Sequence, residues 1–107
     1  MKALNTMMFV SNAAEEIAGY KAAIKNADTY DTAKRIGNMA LGYINCTITF
    51  LNTMICMENN DFTAEFDEVI EAWKKSIYQA VIDKAIETDQ DNDTVWRLLK
   101  LRDGKED

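Results

Sequence analysis

Hydrophobic residues recur every three or four positions along most of this chain, which is the period of helices that bury one face. The pattern predicts an all-α fold with three long helices and a short C-terminal helix. We place them at residues 3–26, 32–59, 62–88 and 94–102. The segments between them are polar, and their aspartate, asparagine and threonine residues supply turn and N-cap chemistry.

The first helix has two possible starting points. Its side chains predicted to face inward are Val10, Ala14, Ile17, Ala18 and Ile24. Asn12 followed by Glu15 has the spacing of a capping box, so the helix begins either near residue 3 or at Asn12. In the second case, residues 1–11 form a separate N-terminal arm.

The second helix is predicted to be apolar or small on several faces. A seam with alternating steps of three and four residues, typical of helix-on-helix packing, contains Leu41, Ile44, Ile48, Leu51 and Ile55. A face of small residues contains Gly42, Cys46, Thr49, Thr53 and Cys56. A third face contains Met39, Tyr43, Phe50, Met54 and Met57. Such a helix needs neighbours on nearly every side.

Residues 43–50 also fit a second interpretation. Polar and apolar residues alternate there and several are β-branched, which is typical of a strand. We favour the helix because the seam continues beyond residue 50 and no turn residue ends the run at that point.

The third helix has the clearest pattern in the chain. Its apolar stripe contains Phe66, Val69, Ile70, Trp73, Ile77, Ala80 and Val81. The fourth helix is predicted to be capped by Asp91 or Asp93. Residues 103–107 are predicted to fray, and residues 1–107 to form a single domain.

No charged residue occurs between Ile36 and Met57, although 28% of the chain is charged. The first and third helices of one chain are too few to cover a helix that lacks charge on every face. The sequence therefore predicts a bundle completed by homo-oligomerisation, most simply a twofold dimer with the second helices at its centre. The predicted interface residues are Leu41, Gly42, Ile44, Asn45, Ile48, Thr49, Leu51, Asn52 and Ile55.

Four asparagines, Asn38, Asn45, Asn52 and Asn59, recur every seven residues in the second helix. Three hypotheses explain them. The amides pair between symmetry-related helices and fix their register, they line a polar groove for a small ligand, or they face solvent at the edge of the bundle. A buried amide without a partner costs about 1–3 kcal/mol, so a line of them in an interior needs a purpose.

Candidate chemistry is sparse. The chain has no histidine, which excludes Cys-His dyads and histidine-containing metal sites within one chain. Asp89, Asp91 and Asp93 have the spacing that opens a calcium-binding EF-hand loop, but Thr94 and Lys100 stand where that loop requires glycine and glutamate. We therefore predict that the protein is not an enzyme and has no metal or cofactor.

The charge balance bears on partners and location. A net charge of −6 disfavours binding to nucleic acid or to anionic membranes. Polar residues within the charge-free window oppose membrane insertion, and the apolar run near the N-terminus is too short for a signal peptide. We expect a cytoplasmic protein of a bacterial cell.

These patterns favour a non-enzymatic interaction protein, a small acidic regulator or inhibitor that binds and blocks a partner protein. A bacterial or phage origin is the base-rate expectation for a small chain without motifs. The candidate partner-binding residues are Trp96, Arg97 and Lys100, because the last helix combines a tryptophan with basic side chains.

Two alternative functions stay open. One is an oligomer that binds or sequesters a small nucleotide-like ligand, with a tyrosine stacked on the base and a lysine at the phosphate. The residues available for this are Tyr20, Tyr30, Tyr43, Lys21 and Lys34. The other is a structural subunit of a larger helical assembly.

Overall fold

The chain folds into four α-helices. The computed structural model describes the backbone of residues 2–58 and 63–104 and the side chains of residues 7–53 and 66–104. The helices are α1 (Lys2–Lys25), α2 (Tyr30–Glu58), α3 (Thr63–Glu87) and α4 (Asn92–Arg102). The described residues contain no strand, so the all-α prediction is confirmed.

The helices decide between the alternatives that the sequence left open for residues 43–50 and for the start of α1. Residues 43–50 lie inside α2, so the strand interpretation is wrong. The β-branched residues of this segment occupy different sides of α2: Ile44 and Thr47 are buried, and Thr49 is exposed. At the other end, α1 runs without interruption from Lys2 through Asn12.

The helices α1, α2 and α3 pack against one another in pairs, and α4 packs against α3. Together they enclose one hydrophobic core, which contains Ala13, Ile17, Ile24, Ala33, Ala40, Ile44, Leu51, Ile70, Trp73, Ile77, Val81, Ile82, Ala85 and Leu98. A bundle of this kind covers only the inward side of each long helix.

The buried seam of α2 differs in part from the predicted one. Its members follow steps of four and three residues and are Ala33, Gly37, Ala40, Ile44, Thr47 and Leu51. Ile44 and Leu51 were predicted, whereas Leu41 and Ile48 are only half-buried on one flank. The side chain of Ile55 lies outside the described residues. Small residues replace large ones in the first half of the seam because α3 approaches α2 closely there.

Gly37 sets that close approach. A Cβ atom added at Gly37 would lie 2.7 Å from Cγ2 of Val81 on α3. Because valine is stiff about χ1, it cannot easily move away. This glycine is therefore required by packing rather than by backbone conformation.

The buried side of α1 also differs from the prediction. Ala13, Ile17 and Ile24 are buried, whereas Ala14 and Ala18, predicted to face inward, are exposed. The reason is that α2 lies beside the flank of α1 that carries Ala13, and an alanine carries too little apolar surface to decide which flank is covered.

Lys84 joins the end of α1 to α3. Its Nζ donates hydrogen bonds of 2.9 Å to the backbone carbonyls of Lys25 and of Ala27. It also forms an ion pair of 3.0 Å with Glu87. The side chain is only 5% exposed. Lys84 thus satisfies carbonyl groups that the end of a helix leaves without backbone partners.

The N-terminus of α4 confirms the predicted capping. Asp91 is the N-cap, and its Oδ1 accepts a hydrogen bond of 2.8 Å from the backbone N–H of Thr94. The preceding turn contains Asp89 at a positive φ of 58°, which aspartate tolerates better than most residues. At the other end, α4 stops at Arg102, and residues 105–107 of the predicted tail lie outside the described residues.

Candidate interaction surfaces

The outward side of α2 is exposed and uncharged. We call Asn38, Gly42, Asn45, Thr49 and Asn52 the outer seam, because they follow steps of four and three residues opposite the buried seam. All five are exposed. Four more exposed, uncharged residues border them, namely Met39, Cys46, Phe50 and Thr53. This surface extends over 16 positions of helix, from Asn38 to Thr53, which is about 22 Å from end to end.

The hydrogen bonding of the outer seam leaves its amides available. Thr49 and Thr53 donate their hydroxyls to carbonyls one turn earlier, those of Asn45 and Thr49, at 3.4 and 3.0 Å. These bonds turn the hydroxyls toward the helix backbone. The side-chain amides of Asn38, Asn45 and Asn52 have no hydrogen-bond partner among the described residues. In the single chain, therefore, the asparagines face outward, and Asn59 lies outside the described residues.

Aromatic contacts with α1 hold one border of this surface in place. The rings of Phe9 and Phe50 are stacked with centroids 4.7 Å apart, although Phe50 remains 53% exposed. The rings of Tyr20 and Tyr43 lie 5.9 Å apart. Burial raises the pKa of Tyr43 above its usual value, and the nearby Glu16 carboxylate adds to the rise. The Met39 side chain extends the exposed apolar border.

Apart from Ile55, whose side chain lies outside the described residues, the predicted interface residues divide into three groups. Gly42, Asn45, Thr49 and Asn52 lie on the outer seam. Leu41 and Ile48 are half-buried on the flank of α2, while Ile44 and Leu51 are buried in the core of the same chain. Only the first group presents itself fully to a second molecule.

The three candidate partner-binding residues lie close together on α4, and we call them the α4 patch. Trp96 is 60% exposed, and Nζ of Lys100 lies 5.9 Å from the centroid of its ring, a cation–π distance. Arg97 is exposed beside them. The Thr94 hydrogen bonds hold the pKa of the Asp91 carboxyl below its usual value, and the positive charge of Arg97 contributes to the same effect.

A small apolar cleft separates α4 from α2. Its volume is about 120 Å³, and its lining residues are Lys34, Gly37, Asn38, Leu41, Ile77, Tyr78, Val81, Leu98 and Leu101. Leu101 is half exposed at its edge. The cleft is large enough for a single apolar side chain of a partner.

A groove with a volume of about 510 Å³ lies between α1 and α3. Lys21 and Lys25 form one wall, and Asp83 and Glu87 stand on the other. The structure does not bring the tyrosines and lysines of the ligand hypothesis together here. Tyr20 instead faces Tyr43 on the α2 side of α1.

Among the described residues, no group of three or more cysteine or acidic side chains is placed to hold a metal ion. Within the same part of the chain, no helix combines the length and the apolar character needed to cross a membrane.

Two important residues escaped sequence reasoning. Lys84 occupies one position in an amphipathic helix, where lysine is ordinarily a solvated residue, so nothing in its neighbourhood signals burial. Gly37 precedes the predicted seam by four residues, which is one possible signal, but a lone glycine in a helix has several explanations.

Comparisons with protein-family models, with curated proteins and with solved structures find no match for this chain.

Proposed function

We propose that this protein works without catalysis, as a homodimeric helical regulator that binds a partner protein and blocks one of its surfaces. The observation that carries the proposal is the exposure of Trp96 beside Arg97 and Lys100. Tryptophan and arginine are the residues most enriched at the energetic centres of protein interfaces. With 60% of its surface exposed next to a cation, Trp96 is accessible to a partner.

The chemistry of the α4 patch defines the kind of partner. The patch contains two cationic side chains, whereas the chain as a whole has a net charge of −6. An acidic surface of a partner protein would therefore be attracted to α4 and repelled by most of the rest of the molecule. The apolar cleft beside α4 offers a place for one anchoring side chain. We therefore expect a partner that presents an apolar residue flanked by carboxylates.

A pull-down from a bacterial lysate tests this proposal. The wild-type protein should retain a specific protein that Trp96→Ala no longer retains, because the substitution removes the exposed ring without touching the core. Met8→Ala is the matched control, since Met8 is also exposed but lies on α1. Equal retention by Trp96→Ala and by the wild type would contradict a role for the α4 patch.

The dimer belongs to the same proposal and rests on the uncharged outward side of α2. Most surfaces of the chain other than this one carry charge. Because each copy has a net charge of −6, two copies repel each other when those charged surfaces meet. The outward side of α2 is the surface on which a second copy meets least repulsion.

Light scattering of two lysine variants tests the dimer. Gly42→Lys places a cation on the outer seam, where a Cβ atom meets nothing within 4 Å, and should convert a dimer into a monomer. Gly19→Lys is the control, because its site on α1 is equally open but lies away from α2. Both variants gain helix propensity, so neither should unfold the chain. A monomeric wild type would refute this part of the proposal.

The groove between α1 and α3 favours a second candidate function, the sequestration of a small ligand. Its volume of about 510 Å³ is within the range of ligand pockets. Native mass spectrometry of freshly purified protein tests this function, since a bound small molecule adds a defined mass that is lost on denaturation. If the protein carries no added mass, the ligand-sequestration function is contradicted and the interaction function is favoured.

A further inference from the structure

We propose that the two α2 helices of the dimer pack antiparallel across the twofold axis, with Asn38 and Asn45 each placed against a small residue of the other copy and Asn52 placed against its Arg35. The inference rests on the proposed dimer, because a second copy of this chain is its only occupant.

The volumes of the side chains in successive layers favour the antiparallel pair. Asparagine alternates with glycine or threonine along the outer seam. The seam thus has two kinds of position, one occupied by asparagine and the other by glycine or threonine. In an antiparallel pair of helices, each layer joins one position of each kind, so Asn45 meets Gly42 of the other copy and Asn38 meets Thr49. Every layer then combines a larger and a smaller side chain. A parallel pair would instead place glycine on glycine, which leaves a void, and asparagine on asparagine.

A charged residue at the end of the seam also favours the antiparallel pair. Counting back from Asn38 by three residues, the next seam position is Arg35, which is exposed. Parallel helices would bring the two Arg35 guanidinium groups face to face, and like charges repel. Antiparallel helices bring Arg35 to Asn52 of the other copy, whose amide oxygen accepts hydrogen bonds. Arg35 already pairs with Asp31 at 3.1 Å, which leaves other donors of its five free for the amide.

The positions of the helix ends favour the antiparallel pair as well. The pairing of Asn45 with Gly42 puts the twofold axis between Tyr43 and Ile44, and Ile44 is the midpoint of α2 (Tyr30–Glu58). The two helices are then flush along their whole length. The positive N-terminal end of each helix dipole also lies beside the negative C-terminal end of the other. Parallel packing would align like ends.

In this arrangement the asparagine amides form hydrogen bonds across the contact between the two helices. The amides of Asn38, Asn45 and Asn52 lack partners among the described residues of one chain. Each offers two donors and an acceptor. Since Gly42 and Thr49 are small, the backbones of the two helices come close enough for these amides to reach across the seam. The asparagine line thus sets the register of the pair.

Cross-linking of single-cysteine variants tests the orientation. The native cysteines are first replaced by serine, and Asn38→Cys or Thr49→Cys is then introduced. In the antiparallel pair, positions 38 and 49 of opposite copies are adjacent, whereas each position lies 11 residues, about 16 Å, from its own equivalent. A short bis-maleimide should therefore join the two variants only when they are mixed, with one copy carrying a tag for identification.

The outcomes separate this inference from the dimer itself. Cross-linked dimers in the mixture, with none in either variant alone, support the antiparallel pair. Cross-links in each variant alone, with none between the two, show parallel helices and overturn the orientation while the dimer stands. A dimeric mass by light scattering without any cross-link places the interface elsewhere and also overturns it. A monomeric mass refutes the dimer and the orientation together.

Discussion

At the scale of single residues, Gly37 shows how one missing methyl group fixes a helix packing distance. Gly37→Ala should lower the free energy of unfolding, because the added Cβ atom would lie 2.7 Å from Val81 Cγ2. Overpacking costs about 1–3 kcal/mol, whereas the gain in helix propensity is only about 0.5–1 kcal/mol, so the net effect should be destabilising. Urea denaturation measures the difference.

Gly19→Ala is the control for this substitution. A Cβ atom at Gly19 meets nothing within 4 Å, so only the propensity gain applies, and the stability should rise by about 0.5–1 kcal/mol. Opposite signs for the two substitutions are expected. A rise in stability for both would mean that α2 and α3 are farther apart than described.

Lys84 is the second residue whose environment decides its role. Lys84→Met keeps the aliphatic stem but removes the donors to the carbonyls of Lys25 and Ala27. Leaving buried acceptors without donors costs about 1–3 kcal/mol, and unfolding in urea should show a loss of that size. Lys75→Met, at an exposed position of the same helix, should change the stability by less than about 0.5 kcal/mol. Equal effects would contradict the bridging role of Lys84.

At the scale of elements, α4 depends on its N-cap. The hydrogen bonds from Thr94 hold the pKa of Asp91 below its usual value, so the carboxylate form is the one that folding favours. The stabilisation from this group is therefore present above the usual pKa of an aspartate and is lost as the pH falls through the lowered pKa. Acidification should fray the first turn of α4 before it disturbs the core.

NMR carbon chemical shifts of α4 measure this fraying. Asp91→Asn is the informative variant, because asparagine is an equally good N-cap and does not titrate. Its α4 shifts should stay helical at a pH where those of the wild type move toward coil. Asp91→Ala should show the frayed state at every pH. Identical pH profiles for the wild type and Asp91→Asn would exclude Asp91 as the titrating group.

The helix α2 illustrates how far an element follows from its own residues. Its helical state was predictable because steps of three and four residues persist through the ambiguous segment 43–50. The choice of buried line was not, since apolar and small residues occupy two adjacent seams that both fit the helical period. Ile48 belonged to the predicted seam and Thr47 lies on the buried one, one position away.

At the scale of the whole molecule, the two proposed interactions should respond to salt in opposite ways. The dimer joins uncharged surfaces of chains whose net charge is −6, so screening of the mutual repulsion should tighten it. Partner binding through Arg97 and Lys100 depends on attraction between opposite charges, so added salt should weaken it. Sedimentation equilibrium and a salt series in the pull-down measure the two effects.

The variants already described serve as controls for this prediction. Gly42→Lys should stay monomeric at low and high salt, which shows that the salt effect acts on the α2 contact. Trp96→Ala should dimerise as the wild type does. A dimer that dissociates as salt is added would show that ion pairs, rather than the uncharged surface, hold the copies together.

The candidate surfaces were visible in the sequence to different degrees. The charge-free run of α2 and the grouping of Trp96, Arg97 and Lys100 can be read directly, because neighbours on a helix surface are fixed by spacing alone. The cleft beside α4 and the groove between α1 and α3 could not be predicted from the sequence. Each is formed by residues from different helices, whose relative positions depend on packing.

The sequence by itself determined that this protein is helical, where its four helices lie, and that residues 36–57 of α2 carry no charge, because these properties depend on neighbours along the chain. Only the tertiary structure decided which line of α2 is buried, which asparagines face outward, and that Lys84 is enclosed. The physical reason is that burial depends on which helix approaches which flank. That choice follows from the fit of small side chains such as Gly37 against a particular residue, Val81, more than forty positions away in the chain.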